Sequence, residues 1–190
     1  KAEKMKKQAF ADRYPYGIFS CIRTMGHIYK SRGNFDLSAQ YYQEALDYML
    51  KNMPDQDPSQ LYSSLAEYYR NTQKDYATAL DYCEKALKSA KTERNIAHAM
   101  IEKCLILFKQ KRMDEFNDCY KEAVQMVDRC KLSASVSLLI AHISKNILDK
   151  QYEQAHAHAD QLSEKGLQQH AYIYECAKDY PNAIKYLKKY

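Results

Sequence analysis

The 190-residue chain has no tryptophan, and glycine and proline contribute only four residues each. So few turn formers cannot supply the many hairpins of a β-sandwich or barrel. Long apolar runs are missing too. The best, over residues 136–143, is interrupted by Ser137 and His142 and falls far short of the roughly 18 residues of a membrane span. Gly-x-Ser-x-Gly, the P-loop, Gly-x-Gly-x-x-Gly and His-Glu-x-x-His do not occur, and scarce glycine leaves no loop to cradle a phosphate. The expectation is therefore a non-membrane chain with no cofactor and no enzymatic activity.

Charge of one sign is also not concentrated. The 29 Lys and Arg against 24 Asp and Glu leave a net +5, mixed in sequence except at Lys1, Lys4, Lys6 and Lys7. A nucleic-acid binder shows a one-sided basic stripe, so nucleic acid is not an expected partner. Cys21, Cys83, Cys104, Cys119, Cys130 and Cys176 include no Cys-x-x-Cys pair, which removes a zinc ribbon or thioredoxin-type motif. They read as small buried hydrophobes. His156 and His158 are two apart on an expected helix and point about 200° from each other, a poor arrangement for one metal. No metal site is expected, and His142 and His170 fall on packing stripes.

What is present is a folded composition, 46% hydrophobic and 28% charged, with 18 tyrosines. Tyrosine gives a large packing body whose hydroxyl can stay wet, which suits helices packed close to solvent. Self-similarity is the main signal. Five segments, starting at Phe35, Tyr76, Met113, Tyr152 and Tyr180, each open on an aromatic or Met. The residue three places on is Ser38, Ala79, Phe116, Ala155 or Ala183, mostly small. Those positions lie about 41, 37, 39 and 28 residues apart, near the 34–47 of known helical repeats. Phe116 is the odd member, a large residue where the other four are small.

Each segment follows a second helical stripe. In order these are Ile22, Met25, Gly26 and Tyr29; Tyr62, Leu65, Ala66 and Tyr69; Ile101, Cys104, Leu105 and Phe108; Ile140, Ile143, Ser144 and Ile147; and Leu167, His170, Ala171 and Tyr174. Gly26 inside a helix costs about 1 kcal/mol against alanine, so a close helix crossing is expected there. The 52–59 segment is the clearest break between units, with Ser59 as the expected N-cap.

The stripe from Ile22 through Met25-Gly26, Tyr29, Gly33, Phe35, Ser38, Tyr42 and Ala45 resembles the tetratricopeptide repeat (TPR) family. The resemblance covers nearly the whole chain, although Ile22, Tyr62, Ile101, Ile140 and Leu167 stand where the family has its hallmark tryptophan. It implies an all-α, right-handed superhelical solenoid of antiparallel helix pairs. About five repeats are expected, at 19–53, 59–92, 96–130, 134–165 and 166–190, with residues 1–16 ending a preceding repeat. The whole of 1–190 would be one solenoid domain. The helical pattern of Ala183, Ile184 and Leu187 runs on without a stop signal, so a piece of a longer protein is expected.

In such a solenoid the first helix of each pair lines a concave face. The groove residues expected there are Arg23, His27, Lys30, Glu67, Arg70, Asn71, Lys109, Lys145, Tyr172 and Glu175. A mildly basic groove of this kind holds a peptide or protein partner by side-chain hydrogen bonds and by salt bridges to acidic residues. One TPR subtype clamps chaperone C-terminal carboxylates with Lys, Asn and Arg. Here the matching places carry Arg23, His27 and Ser64, so that mode is not expected. The Tyr-rich helices and the 182–190 segment are similar to TPR regions of Bacteroidetes signalling proteins, in which such arrays precede a membrane helix and histidine kinase or a DNA-binding domain. That resemblance implies a sensory role, extracytoplasmic in the kinase arrangement and cytoplasmic otherwise. A peptide-pheromone receptor or an assembly scaffold is the alternative, and a homodimer is compatible with either.

Overall fold

The computed structural model describes residues 3–4, 14–133, 135–162 and 166–189. Regular structure there is helical throughout. In order the helices are α1 (Pro15–Ser31), α2 (Phe35–Asn52), α3 (Ser59–Tyr68), α4 (Tyr76–Ser89), α5 (Glu93–Lys109), α6 (Met113–Arg129), α7 (Val136–Leu148), α8 (Tyr152–Ala159), α9 (Gly166–Cys176) and α10 (Tyr180–Leu187). A single π-turn, Tyr69–Gln73, extends α3. Of residues 1–16, expected to end a preceding repeat, 1–2 and 5–13 lie outside the described residues.

Local chemistry starts the helices. The side chains of Asn34, Asp75, Thr92, Ser135 and Asp179 each accept the backbone N–H three residues on, satisfying a donor that the first helical turn leaves open. The turn inside every pair has one left-handed residue: Gly33, Lys74, Lys111, Lys150 or Lys178. The next N–H then reaches back to the carbonyl five residues earlier, as from Asn34 to Tyr29, Arg112 to Leu107, Gln151 to Asn146 and Asp179 to Tyr174. This is the Schellman closure of a helix end. In the second pair the same bond, Asp75 to Tyr69, spans six residues. The π-turn absorbs that extra residue.

Helices pair as α1/α2, α3/α4, α5/α6, α7/α8 and α9/α10, and α3, α5 and α7 also pack on one another in sequence. The result is a solenoid of antiparallel helix pairs. Each apolar face is covered only by its neighbours. At Gly26 the close approach is made by a ring, since a Cβ there would lie 2.6 Å from Cε1 of Tyr42. Ser38 Oγ donates to the Gly26 carbonyl at 2.9 Å.

The third pair solves its packing differently. Phe116 is completely buried between Phe108 and Tyr120, and Leu105 is also buried. The small residues sit instead at Ala97, Cys104, Cys119 and Ala123 of the same core. There the helices come close enough for Cys119 Sγ to lie 3.5 Å from the Met100 carbonyl and 2.9 Å from Cys104 Sγ. Ser59 is not the N-cap of α3. It is the first helical residue, after Pro58, and its N–H donates to Asp57 Oδ1 at 2.9 Å. The Asp57 carboxylate also accepts the Lys91 N–H and Asn95 Nδ2, so the 52–59 loop is clipped to the following pair.

Tyrosines join successive units at their wet edges. Tyr68 donates to Asp36 at 2.6 Å and Tyr82 to Gln43 at 3.3 Å; within the second pair Tyr69 and Tyr82 stack at 5.4 Å.

Candidate functional site

The first helices of the pairs carry a polar face beside the core stripe, and three hollows open along them. The first, about 450 Å³, is lined by Lys30 of α1, by Gln60, Ser63, Ser64 and Glu67 of α3, by Asn95, His98 and Glu102 of α5, and by Ser135, Val136 and Ser137 at the start of α7. The second, about 270 Å³, takes Arg70 and Asn71 from the π-turn. It also takes Leu105, Phe108 and Lys109 from α5, Ile140 and Ser144 from α7, and Gln168, Gln169 and Tyr172 from α9. The third, about 320 Å³, lies between α9 and α10, with Glu175 and Tyr172 among apolar groups.

A buried ion pair divides the first hollow from the second. Arg70 Nη2 and Nε donate to Glu102 Oε2 at 2.9 and 3.2 Å, and Arg70 Nη1 donates to Asn71 Oδ1 at 2.8 Å. Ser137 Oγ donates to the other Glu102 oxygen at 2.7 Å. Arg70 and Glu102 are only 7% and 6% exposed, and each of the three guanidinium nitrogens already donates a hydrogen bond, so Arg70 is a structural group. Lys30 is likewise occupied, with Nζ 2.5 Å from Glu67 Oε2 across α1 and α3.

Lys109 differs. Its Nζ lies 5.4 Å from the centre of the Tyr172 ring, and among the described residues no carboxylate lines its hollow. Desolvation against the hollow, then Arg70, holds its pKa below the usual lysine value, although the residue as a whole is exposed. Opposite it the Tyr172 phenol is pushed up to about 12, first by burial and then by the neighbouring Cys176.

The other expected groove residues lie apart. Lys145 pairs with Asp149 on its own helix end at 2.6 Å. His27 Nδ1 meets the Tyr42 hydroxyl at 2.9 Å, and burial followed by Arg23 and Lys30 lowers its pKa. Arg23 places its guanidinium 5.3 Å over Phe19, with a buried Nε that has no hydrogen-bond partner among the described residues. The structure therefore brings Arg70, Asn71, Lys109 and Tyr172 together, brings Lys30 and Glu67 together, and leaves Arg23, His27 and Lys145 outside the hollows. Asn95, His98, Glu102 and Lys109 share one face of α5 at spacings of three, four and seven. That helical spacing is the signal by which Asn95, His98 and Glu102 could have been found.

Histidine and tyrosine form a second cluster toward the C-terminal end. His156 and His158 lie on different sides of α8. His158 stacks on His142 of α7 at 4.9 Å, and His156 stacks on His170 of α9 at 4.9 Å. Tyr120 meets His142 Nδ1 at 2.6 Å, His156 and His170 join Nδ1 to Nδ1 at 2.6 Å, and His170 Nε2 faces Asp160 at 3.0 Å. No three His, Cys, Asp or Glu side chains among the described residues converge to hold a metal ion. None of the described helices is long and apolar enough to cross a membrane.

With helix pairs, turns and the polar face in place, comparison with known proteins adds one match to a family. The Tetratricopeptide repeat family signature matches residues 19–92. Residues 19–92 are tetratricopeptide repeats. The match spans α1 to α4, and the same helix-pair architecture continues through the rest of the solenoid. Among solved structures, BtubC (BKLC) from P. vanneervenii is similar to the chain with a TM-score of 0.63 at 18% identity, over 99% of this chain and 84% of that one. At that identity the likeness concerns the fold. Comparison with curated proteins gave no match. TPR arrays are protein-interaction modules, and that coarse function follows from the repeats themselves.

Proposed function

We propose that the inner face binds an extended peptide of a partner protein, with an acidic side chain of that peptide seated in the second hollow beside Lys109. The observation carrying this reading is Lys109 itself, an exposed cation at a hollow whose apolar lining is Leu105, Phe108 and Ile140, with no carboxylate lining it among the described residues. A ligand carboxylate would supply the missing counter-charge, and the floor would take an adjacent apolar residue. The Ser, Gln and Asn side chains of the first hollow suit a peptide backbone.

An array of short peptides, with hits measured by fluorescence polarisation, tests this. Acidic hits should lose at least about tenfold in affinity, or about 1.4 kcal/mol, on Lys109→Glu. They should be unchanged on Lys145→Glu, because Lys145 already pairs with Asp149. Saturable hits that ignore the Lys109 change, or an array with no saturable hit, would refute it.

The wider proposal takes residues 1–190 as one array with units at 19–53, 59–92, 96–130, 134–165 and 166–190, without catalysis of its own. It would serve as the sensory or regulatory part of a larger signalling protein. The support is the likeness of the Tyr-rich helices and the 182–190 segment to TPR regions of such proteins. A second reading, an assembly scaffold, is favoured by Tyr180, Ile184 and Leu187, more than half exposed on α10. Sedimentation at rising concentration separates the two, since the scaffold reading requires self-association lost on Ile184→Glu.

A further inference from the structure

We infer that Cys104 and Cys119 are a redox site, oxidised by a hydroperoxide to an intramolecular disulfide that ties α5 to α6. The thiols come from facing helices of the third pair, and their sulfurs are already 2.9 Å apart. Reaching a bond of ~2.05 Å therefore requires only about 1 Å of approach. No other two thiols among the described residues are in hydrogen-bonding contact.

The two sulfurs are not equivalent. Cys104 is completely buried, whereas Cys119 is 9% exposed. The Cys104 S–H donates to Cys119 Sγ, which favours a thiolate on Cys119, and Lys103 adds positive charge nearby. Their combined effect holds the Cys119 pKa below the usual thiol value against the opposing cost of burial. Cys119 is thus the nucleophile and Cys104 the resolving thiol.

The chemistry balances. The Cys119 thiolate attacks one peroxide oxygen, so that an S–O bond forms and the O–O bond breaks. The departing oxygen takes the proton of Cys104 and leaves as an alcohol or, from hydrogen peroxide, as water. Cys104 then attacks the sulfenic sulfur; the S–S bond forms, the S–O bond breaks, and the hydroxyl leaves as water after taking a proton from solvent. The two sulfurs give up two electrons and the hydroperoxide accepts them. The product closes the hairpin formed by α5, its Lys111 turn and α6. It also fixes the helix that carries Glu102, Phe108 and Lys109.

The reduced 190-residue chain treated with stoichiometric hydrogen peroxide tests the inference by intact mass and a non-reducing peptide map. The expected result is loss of two hydrogens, one cross-linked peptide joining Cys104 to Cys119, reversal by dithiothreitol, and a Tm several degrees higher in the oxidised form. Cys104→Ser should leave a dimedone-reactive sulfenic acid on Cys119, and Cys119→Ser should abolish both products. If either variant fails to fold, the wild-type map decides alone. Cys104 and Cys119 remaining alkylatable while Cys130 or Cys176 oxidises would overturn it, as would Cys119 passing to sulfinic acid without cross-linking.

Discussion

Arg70 and Glu102 are paired charges held out of water, and their value depends on both being present. Replacing Glu102 with alanine strands the guanidinium, also frees Ser137 Oγ, and should cost about 3–5 kcal/mol in urea unfolding. The double change Arg70→Met with Glu102→Leu should cost much less, because no buried charge is left unpaired. An equal loss in single and double variants would contradict this account. Gly26 gives a second test. Alanine gains about 1 kcal/mol of helix propensity, yet its Cβ would strike a Tyr42 ring that is held by His27. Gly26→Ala should therefore be destabilising by roughly 1–2 kcal/mol net. Of the site, the sequence made the polar face legible, placing Lys30, Glu67, Arg70 and Lys109 beside the core stripe. It could not reveal which charges are already paired, because pairing depends on side chains from helices more than 30 residues apart.

At the scale of the element, the turns repeat one device. Lys74, Lys111, Lys150 and Lys178 adopt the left-handed conformation that Gly33 takes in the first pair, which costs a non-glycine residue about 1 kcal/mol or more. Lys111→Gly should accordingly raise Tm by a few degrees in calorimetry, in proportion to about 0.5–1 kcal/mol. A fall would show that the lysine side chain supports the turn. The helix pairs were readable because the hydrophobic spacing recurs from unit to unit; the caps were not, since Ser59, expected to cap α3, is its first helical residue. The π-turn was not, since one inserted residue between Tyr69 and Asp75 leaves no compositional mark. Phe116 looked like a misfit because the small positions of its pair had moved to Cys104 and Cys119, a compensation visible only once α5 and α6 are seen together.

The whole molecule ends in a junction rich in histidine, which makes its stability depend on acidity. His142 and His156 have pKa values held below 6.5, first by burial and then by His158 and His170 respectively, against weaker opposition from Asp128 and Asp160. Tyr120 packs edge-on against His142, and Tyr174 packs against His156. The unfolded chain therefore binds protons that the folded one excludes. The stabilisation is present above about pH 6.5 and is lost as the pH falls toward the lower folded values. Tm should drop on going from pH 7.5 to 5.5, with hydrogen exchange accelerating in α7 and α8 around His142 and His156, and also in α1 and α5 around His27 and His98, whose pKa values burial lowers too. A pH-independent Tm would count against it.

Glu102 forms part of one chamber while the arginine it grips forms part of the next, so the two share a wall made of a single salt link. A visitor that pulls on either charge shifts the wall for the other room. Peptides long enough to fill both should consequently bind with an energy unequal to the sum of their halves.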